Sequence, residues 1–338
     1  MKYTTNMNRL LIVGCVLLLA AAGCDREPCV TCTETALPRR HLQLELSGGL
    51  FDTKAALSPV EESQVVRGLL YVFSRTGHLV NCYSSTDGRF EFYLTDETYD
   101  FVAIANKGGL PTGAVTRDAL LETPTTLTEN AAGNFLMVGC LDKHIIEEDE
   151  KITVEMQRLV AKVSCVVRTA FTGELAEKPF IVEAAYLTNV VGENRLSLAD
   201  SLPASGARWY NRMDAQPETD DTAQLLYADL GQMLGPVDSL LCPQGFYAYP
   251  NSSPDSHDRR EWGSRCTRFV VRATLGGRTT YYPVTLERVE NNHHYHIDLT
   301  VSDYGLEHPE DRPEDYGGFQ LAITVADWAD GARLEGDY

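Results

Sequence analysis

The sequence predicts an all-β protein made of antiparallel β-sandwiches, and three observations carry that prediction. Short segments alternate apolar and polar residues, turn signals recur roughly every ten residues, and apolar positions with helical spacing are confined to short stretches. A change in the parity of the apolar positions near the middle of the chain then divides it in two.

The chain opens with Lys2 and Arg9, continues through the mostly apolar residues 10–22, and reaches Gly23 and Cys24 before the polar Asp25, Arg26 and Glu27. A membrane-spanning helix needs ~20 apolar residues, so this run reads as a secretory signal over residues 1–23. A cysteine directly after the cut has the pattern of a lipoprotein signal, which makes Cys24 the candidate lipidation site. Ala21 stands where leucine is usual. The alternative at residues 12–15, IVGC, fits the box but leaves too short an apolar run ahead of it. Several acyl chains at ~0.8 kcal/mol per buried CH₂ would hold the protein on a membrane almost irreversibly. Residues 24–40 form a leader or tether ending in the dibasic Arg39 and Arg40, with Cys29 and Cys32 at redox or zinc spacing but without a second ligand pair.

Strands follow in order. Residues 41–46, HLQLEL, place Leu42, Leu44 and Leu46 on one face of a half-buried strand. Residues 68–73, 78–83, 89–94 and 99–105 continue the series, punctuated by Gly77 and by Asp87–Gly88. A short helix is expected at residues 117–122 with Thr116 as its cap. The glycines at 107–113 form a turn, because no Gly-Lys-Ser/Thr triplet follows them. Ile152, Val154 and Met156 then occupy even positions, whereas Leu159, Ala161, Val163, Cys165 and Val167 occupy odd ones. A one-residue shift turns every side chain to the opposite face, so the predicted domains are 41–158 and 159–338. In the second half, residues 180–187, 268–274, 279–286, 294–301 and 319–325 read as strands, with a hairpin turn at Gly276–Gly277. Residues 192–240 read as polar loops with a helix over 222–234, and 303–318 as an acidic loop.

The 48 Asp and Glu against 29 Lys and Arg give a net charge of −19, a surface that repels phosphate backbones and argues against nucleic acid as a partner. No Gly-x-Ser-x-Gly elbow or His-Glu-x-x-His pair is present, so no catalytic constellation can be named and no cofactor is expected. His293, His294 and His296 are the metal candidates, with His294 and His296 on one strand face, but two histidines without a third ligand nearby have the pattern of a solvated strand face more than of a metal site. The acidic residues 218–221 lack the Asp-x-Asp-x-Asp-Gly pattern of a calcium loop. The seven cysteines at 29, 32, 82, 140, 165, 242 and 266 are odd in number and too scattered for a disulfide framework, and most are expected to be small buried hydrophobes, with room for one bridge.

The lipoprotein signal, the strand at 71–73 with its Gly77 turn, and residues 101–106 (FVAIAN), 134–139 (NFLMVG), 158–163 (RLVAKV), 291–297 (NNHHYHI) and 323–328 (ITVADW) occur in that order. Together they resemble the fimbrillin family of Bacteroidetes-type (type V) pili over nearly the whole chain, RLVAKV most tellingly. The resemblance implies two tandem transthyretin-like β-sandwiches behind a lipid-anchored leader at the cell outer membrane. It also implies an arginine-specific protease that removes the leader and other fimbrial subunits, in a homopolymer, as partners joined by strand exchange. That step is β-augmentation: backbone hydrogen bonds pair the strands and alternate side chains fill pockets. Under this reading Arg40, with Arg39 before it, is the processing site. Phe319, Leu321, Ile323 and Val325 are the apolar face of a donor strand, although the same alternation also suits a last strand of the chain's own core. A second function class is an unprocessed anchor or a surface glycan-binding lipoprotein, for which Trp209, Tyr210, Phe246, Tyr247, Tyr249, Tyr281 and Tyr282 are candidate sugar-stacking rings.

Overall fold

A computed structural model describes residues 38–47, 62–109, 115–131, 133–198, 208–211, 223–242, 245–253, 265–310 and 319–328. The first half contributes β1 (Arg39–Ser47), β2 (Gly68–Ser74), β3 (Leu79–Ser85), β4 (Arg89–Thr95), β5 (Thr98–Ala105), β6 (Pro124–Thr126), β7 (Met137–Ile145), β8 (Glu150–Glu155) and β9 (Gln157–Arg158). They form one sheet in the order β4-β1-β8 and another in the order β3-β2-β5-β7-β9. The helix α1 (Arg117–Leu121) lies between β5 and β6, and Thr116 caps it by accepting from the Ala119 N–H.

The second half contributes β10 (Ala161–Ala170), β11 (Phe180–Thr188), β12 (Val190–Val191), β13 (Glu193–Arg195), β14 (Trp209–Tyr210), β15 (Tyr227–Leu234), β16 (Val237–Leu241), β17 (Phe246–Ala248), β18 (Thr267–Leu275), β19 (Arg278–Leu286), β20 (His293–Val301) and β21 (Phe319–Asp327). One sheet runs β16-β10-β20-β21 with β17 also on β10, and the facing one runs β15-β11-β18-β19. Gly276 and Gly277 both have positive φ, 58° and 81°, as the tight turn from β18 to β19 requires.

Alternation builds the outer sheet of the first half. Leu42, Leu44 and Leu46 of β1, Phe90, Phe92 and Leu94 of β4, and Ile152 and Val154 of β8 pack on Leu70, Val72, Phe101 and Ala103 of the inner sheet. The inner sheet is buried on both faces, which is why β2 and β5 read as continuous apolar runs. Leu69, Tyr71, Phe73, Val102 and Ile104 point the other way, into an apolar cluster shared with the second half. At Gly139 a Cβ would meet the Glu155 carbonyl oxygen at 2.6 Å, so only glycine lets β7 and β8 approach there. The parity change falls where the sequence places it: Met156 is buried with the first-half cluster, and Leu159, Ala161 and Val163 with the shared one.

The structure corrects one expectation, the helix at 222–234, and adds detail to two others. Pairing is mostly antiparallel, but β1 runs parallel to β8 and β10 parallel to β20, so each half holds one parallel pair reached by a long connection. The helix expected at 222–234 is confined to α2 (Ala223–Leu226), and Tyr227–Leu234 is a strand on β11. Gly231 in that segment has φ 59°, which a helix excludes, and the open edge of β11 overrides the helix propensity of its Ala, Gln, Leu and Met. Most of the cysteines among the described residues are buried, as expected: Cys165, Cys242 and Cys266 are buried, Cys82 is half-buried and Cys140 is exposed.

Candidate functional site: the first and last strands

Arg39 and Arg40 open β1, which lies in the middle of its sheet. Arg39 pairs with Thr95, Arg40 with Leu94 and His41 with Tyr93. The Arg40 guanidinium donates to both carboxylate oxygens of Asp96, Nε to Oδ1 at 2.6 Å and Nη2 to Oδ2 at 2.7 Å. That bidentate pair raises the Arg40 pKa and holds the Asp96 carboxyl below its usual range. The His41 amide donates to Asp149 Oδ1 at 2.8 Å. Directly beyond, Leu42 and Leu44 are 0% and 1% exposed. The Arg40–His41 peptide is thus part of a β-ladder, and a protease that needs an extended chain in its cleft reaches it only after the start of β1 peels from β4.

The last strand, β21, pairs antiparallel with β20 and has no further strand beside it among the described residues. Its odd residues lie opposite buried ones: Leu321 faces Leu299, Ile323 faces Ile297 and Val325 faces Tyr295. The β20 partners are 0–4% exposed, whereas Leu321, Ile323 and Val325 are 40%, 37% and 48% exposed. The apolar face read from the sequence therefore exists but is only partly covered. Phe319, half-buried, meets Tyr282 edge-on at 5.7 Å between ring centroids.

The remaining candidates have structural roles. His294 Nε2 and His296 Nδ1 each share a hydrogen bond with Ser164 Oγ, at 2.8 and 2.9 Å. Burial, with Lys162 and His296 nearby, pushes the His294 pKa down to about 4, and burial lowers that of His296. Among the described residues no group of three His, Cys, Asp or Glu side chains converges on a metal site. Trp209, Tyr210, Phe246, Tyr247, Tyr249 and Tyr282 are at most 6% exposed, so these rings pack the core instead of offering a sugar platform; Tyr281 is half-buried. Cys24, Cys29, Cys32 and residues 218–221 lie outside the described residues. Sequence reasoning missed the buried Glu62 and the role of Trp328, whose contact spans 266 residues and leaves no local pattern.

Residues 34–190 match the model of the family described as fimbrillin-A associated anchor proteins Mfa1 and Mfa2. Over those residues, less than half of the chain, the sequence is similar to that family. The proteins which that family describes are fimbrial anchor proteins, not enzymes. Among curated proteins nothing matches the chain. Its fold is similar to solved structures of low identity. A candidate cell adhesion protein from Bacteroides eggerthii aligns at 18% identity and TM-score 0.59 over 86% of this chain and 96% of that one. A fimbrilin, FimA, from Porphyromonas gingivalis aligns at 15% and 0.56 over 86% and 97%. The tip fimbrial protein Mfa3 from the same species, with a C-terminal truncation, aligns at 16% and 0.54 over 86% and 100%. The β-sandwich architecture of this chain is thus similar to that of these proteins.

Proposed function

We propose that the chain is a structural subunit of a cell-surface fimbria, exported as a precursor acylated on Cys24 and assembled by donating β21 to a neighbouring subunit. The observation that carries this reading is the partly uncovered apolar face of Leu321, Ile323 and Val325. An edge strand that shows such a face to water gains burial when a groove on another subunit receives it, and alternate side chains are the form that β-augmentation uses. The subunit supports adhesion as part of the fimbria, and its partners are other copies or related subunits.

Cleavage after Arg40 by an arginine-specific protease would release the body of the protein from the outer membrane, with 41–158 and 159–338 as its two domains. That cut removes only the first two residues of β1, and because residues 41–47 stay between β4 and β8 it opens no groove along the sheet. The bidentate lock of Arg40 on Asp96 and the anchor description of the matched family favour a second reading, in which the protein stays acylated and anchors the fimbria. Protein purified from the native cell surface separates the two. An amino terminus at His41 and a ladder of detergent-resistant oligomers support the polymerising subunit; an intact acylated Cys24 on a monomer supports the anchor.

A further inference from the structure

Between Gln320 and Val325 every side chain of β21 is exposed, so the middle of the strand is held by its hydrogen bonds to β20 and by the partial cover of Leu321, Ile323 and Val325. Side-chain attachment is concentrated at its two ends. At the start, Phe319 makes an apolar contact with Tyr282. At the other end Trp328 enters a polar socket. Its backbone N–H donates to the Asn292 carbonyl at 2.8 Å, and its indole Nε1 donates to Glu62 Oε2 at 3.0 Å. Its ring lies nearly parallel to Tyr247, with centroids 5.7 Å apart at 20°, and edge-on to Phe135 at 5.6 Å. The Arg158 guanidinium sits 4.5 Å from the indole centroid.

Most of the socket is assembled without Trp328. Glu62 is 5% exposed, and its Oε1 accepts from Lys162 Nζ at 2.7 Å and from Tyr247 Oη at 2.8 Å. Its backbone carbonyl accepts from Arg158 Nε at 3.0 Å. Glu62, Arg158 of β9, Lys162 of β10 and Tyr247 of β17 therefore hold one another in place, and Oε2 is aimed at the indole. A buried carboxylate oxygen with a single donor makes a strong, directional bond, and a cation over an indole face adds to it. Withdrawing the ring breaks both contacts and leaves the other socket bonds standing.

We propose that Trp328 is a latch and the Glu62 socket its catch: they pin β21 in register on its own subunit and set how readily the strand leaves. This rests on the reading of β21 as the donated strand. The latch explains how an edge strand with an uncovered apolar face stays in place before assembly, when a loose one would pair indiscriminately.

Hydrogen exchange of the full chain tests it. In Trp328→Ala the amides of β21 should exchange about ten- to a hundredfold faster, the size expected for losing a charge-assisted hydrogen bond and ring contacts, while β11 and β18 keep their protection. Trp328→Phe keeps an aromatic ring, though a smaller one, and removes the indole donor, so it should give a smaller increase than Trp328→Ala; it also serves if Glu62→Gln, which leaves Lys162 without its carboxylate, fails to fold. Unchanged β21 exchange in Trp328→Ala, or equal loosening of β11 and β18, overturns the latch. Assembly measured in parallel separates this from the donor reading. Faster β21 exchange in a chain that assembles equally well without residues 319–328 keeps the latch and removes the donor role. Assembly that needs β21, with exchange unchanged in Trp328→Ala, does the reverse.

Discussion

Asp at both Leu321 and Ile323 separates a donated strand from a strand of the subunit's own core. In the single subunit these side chains are 40% and 37% exposed, so about three-fifths of each is covered. Fully burying such a side chain contributes ~1.5–3 kcal/mol, so the isolated protein should lose about 1–2 kcal/mol per site, and each new carboxylate can still reach water. The combined loss of about 2–4 kcal/mol lies below the ~5–15 kcal/mol that a folded protein has to spare. In a neighbour's groove the same carboxylates would be buried without a counter-ion, at several kcal/mol each, and the strand should not be accepted. A thermal melt of the double variant should therefore show a cooperative transition lowered by roughly 5–10 °C. Beside it, the assembly assay should show no oligomers. An unfolded monomer would refute the reasoning, because the strand would then be part of its own core; oligomers at the wild-type yield would refute the donor role.

Three further outcomes are expected. Cys24→Ala should abolish acyl labelling and release or mislocalise the precursor while Cys15→Ala leaves labelling intact; equal labelling of the Cys24 variant would remove that assignment. Replacing Arg39 and Arg40 together by Ala should leave a lipidated monomer on the cell surface, read by mass and by gel, and normal oligomers would put the cut elsewhere or make it unnecessary. Stability should fall on acidification. The His294 pKa of about 4 lies below the ordinary 6.5, so its contribution is complete above pH 6.5, declines as pH falls, and is gone below about 4. The full effect is about 3 kcal/mol. The charged and titratable groups around it are Lys162, His296 and Glu62, and its β21 partner is the uncharged Ala326. The Glu62 carboxyl, held low chiefly by Lys162 against its own burial, acts in the same direction and is lost as pH falls through its depressed pKa. Denaturant titrations at pH 7 and pH 4.5 should therefore differ for the native protein, and His294→Gln should narrow the difference.

Alternation made β1, β4 and β20 legible in the sequence, because each buries one face and shows the other to water. The parity change at Met156–Leu159 was legible for the same reason. Alternation reports which face is buried, not which strand lies alongside, so the parallel pairs β1/β8 and β10/β20 left no trace in it. It also could not say whose core the face of Leu321, Ile323 and Val325 serves. Glu62, the second of two adjacent glutamates ahead of β2, has the sequence appearance of a surface charge. Only the fold brings Lys162, Tyr247 and Trp328 to its carboxylate.

The central claim is that the apolar face of β21 is buried in another subunit. A photo-reactive side chain at position 323, activated on assembled fimbriae, reads the neighbour of that face directly. The account predicts a covalent dimer whose cross-linked peptides come from two different copies, shown by mixing isotopically light and heavy subunits. Cross-links confined to β20 and β19 of the same copy, in material that has assembled, would contradict it.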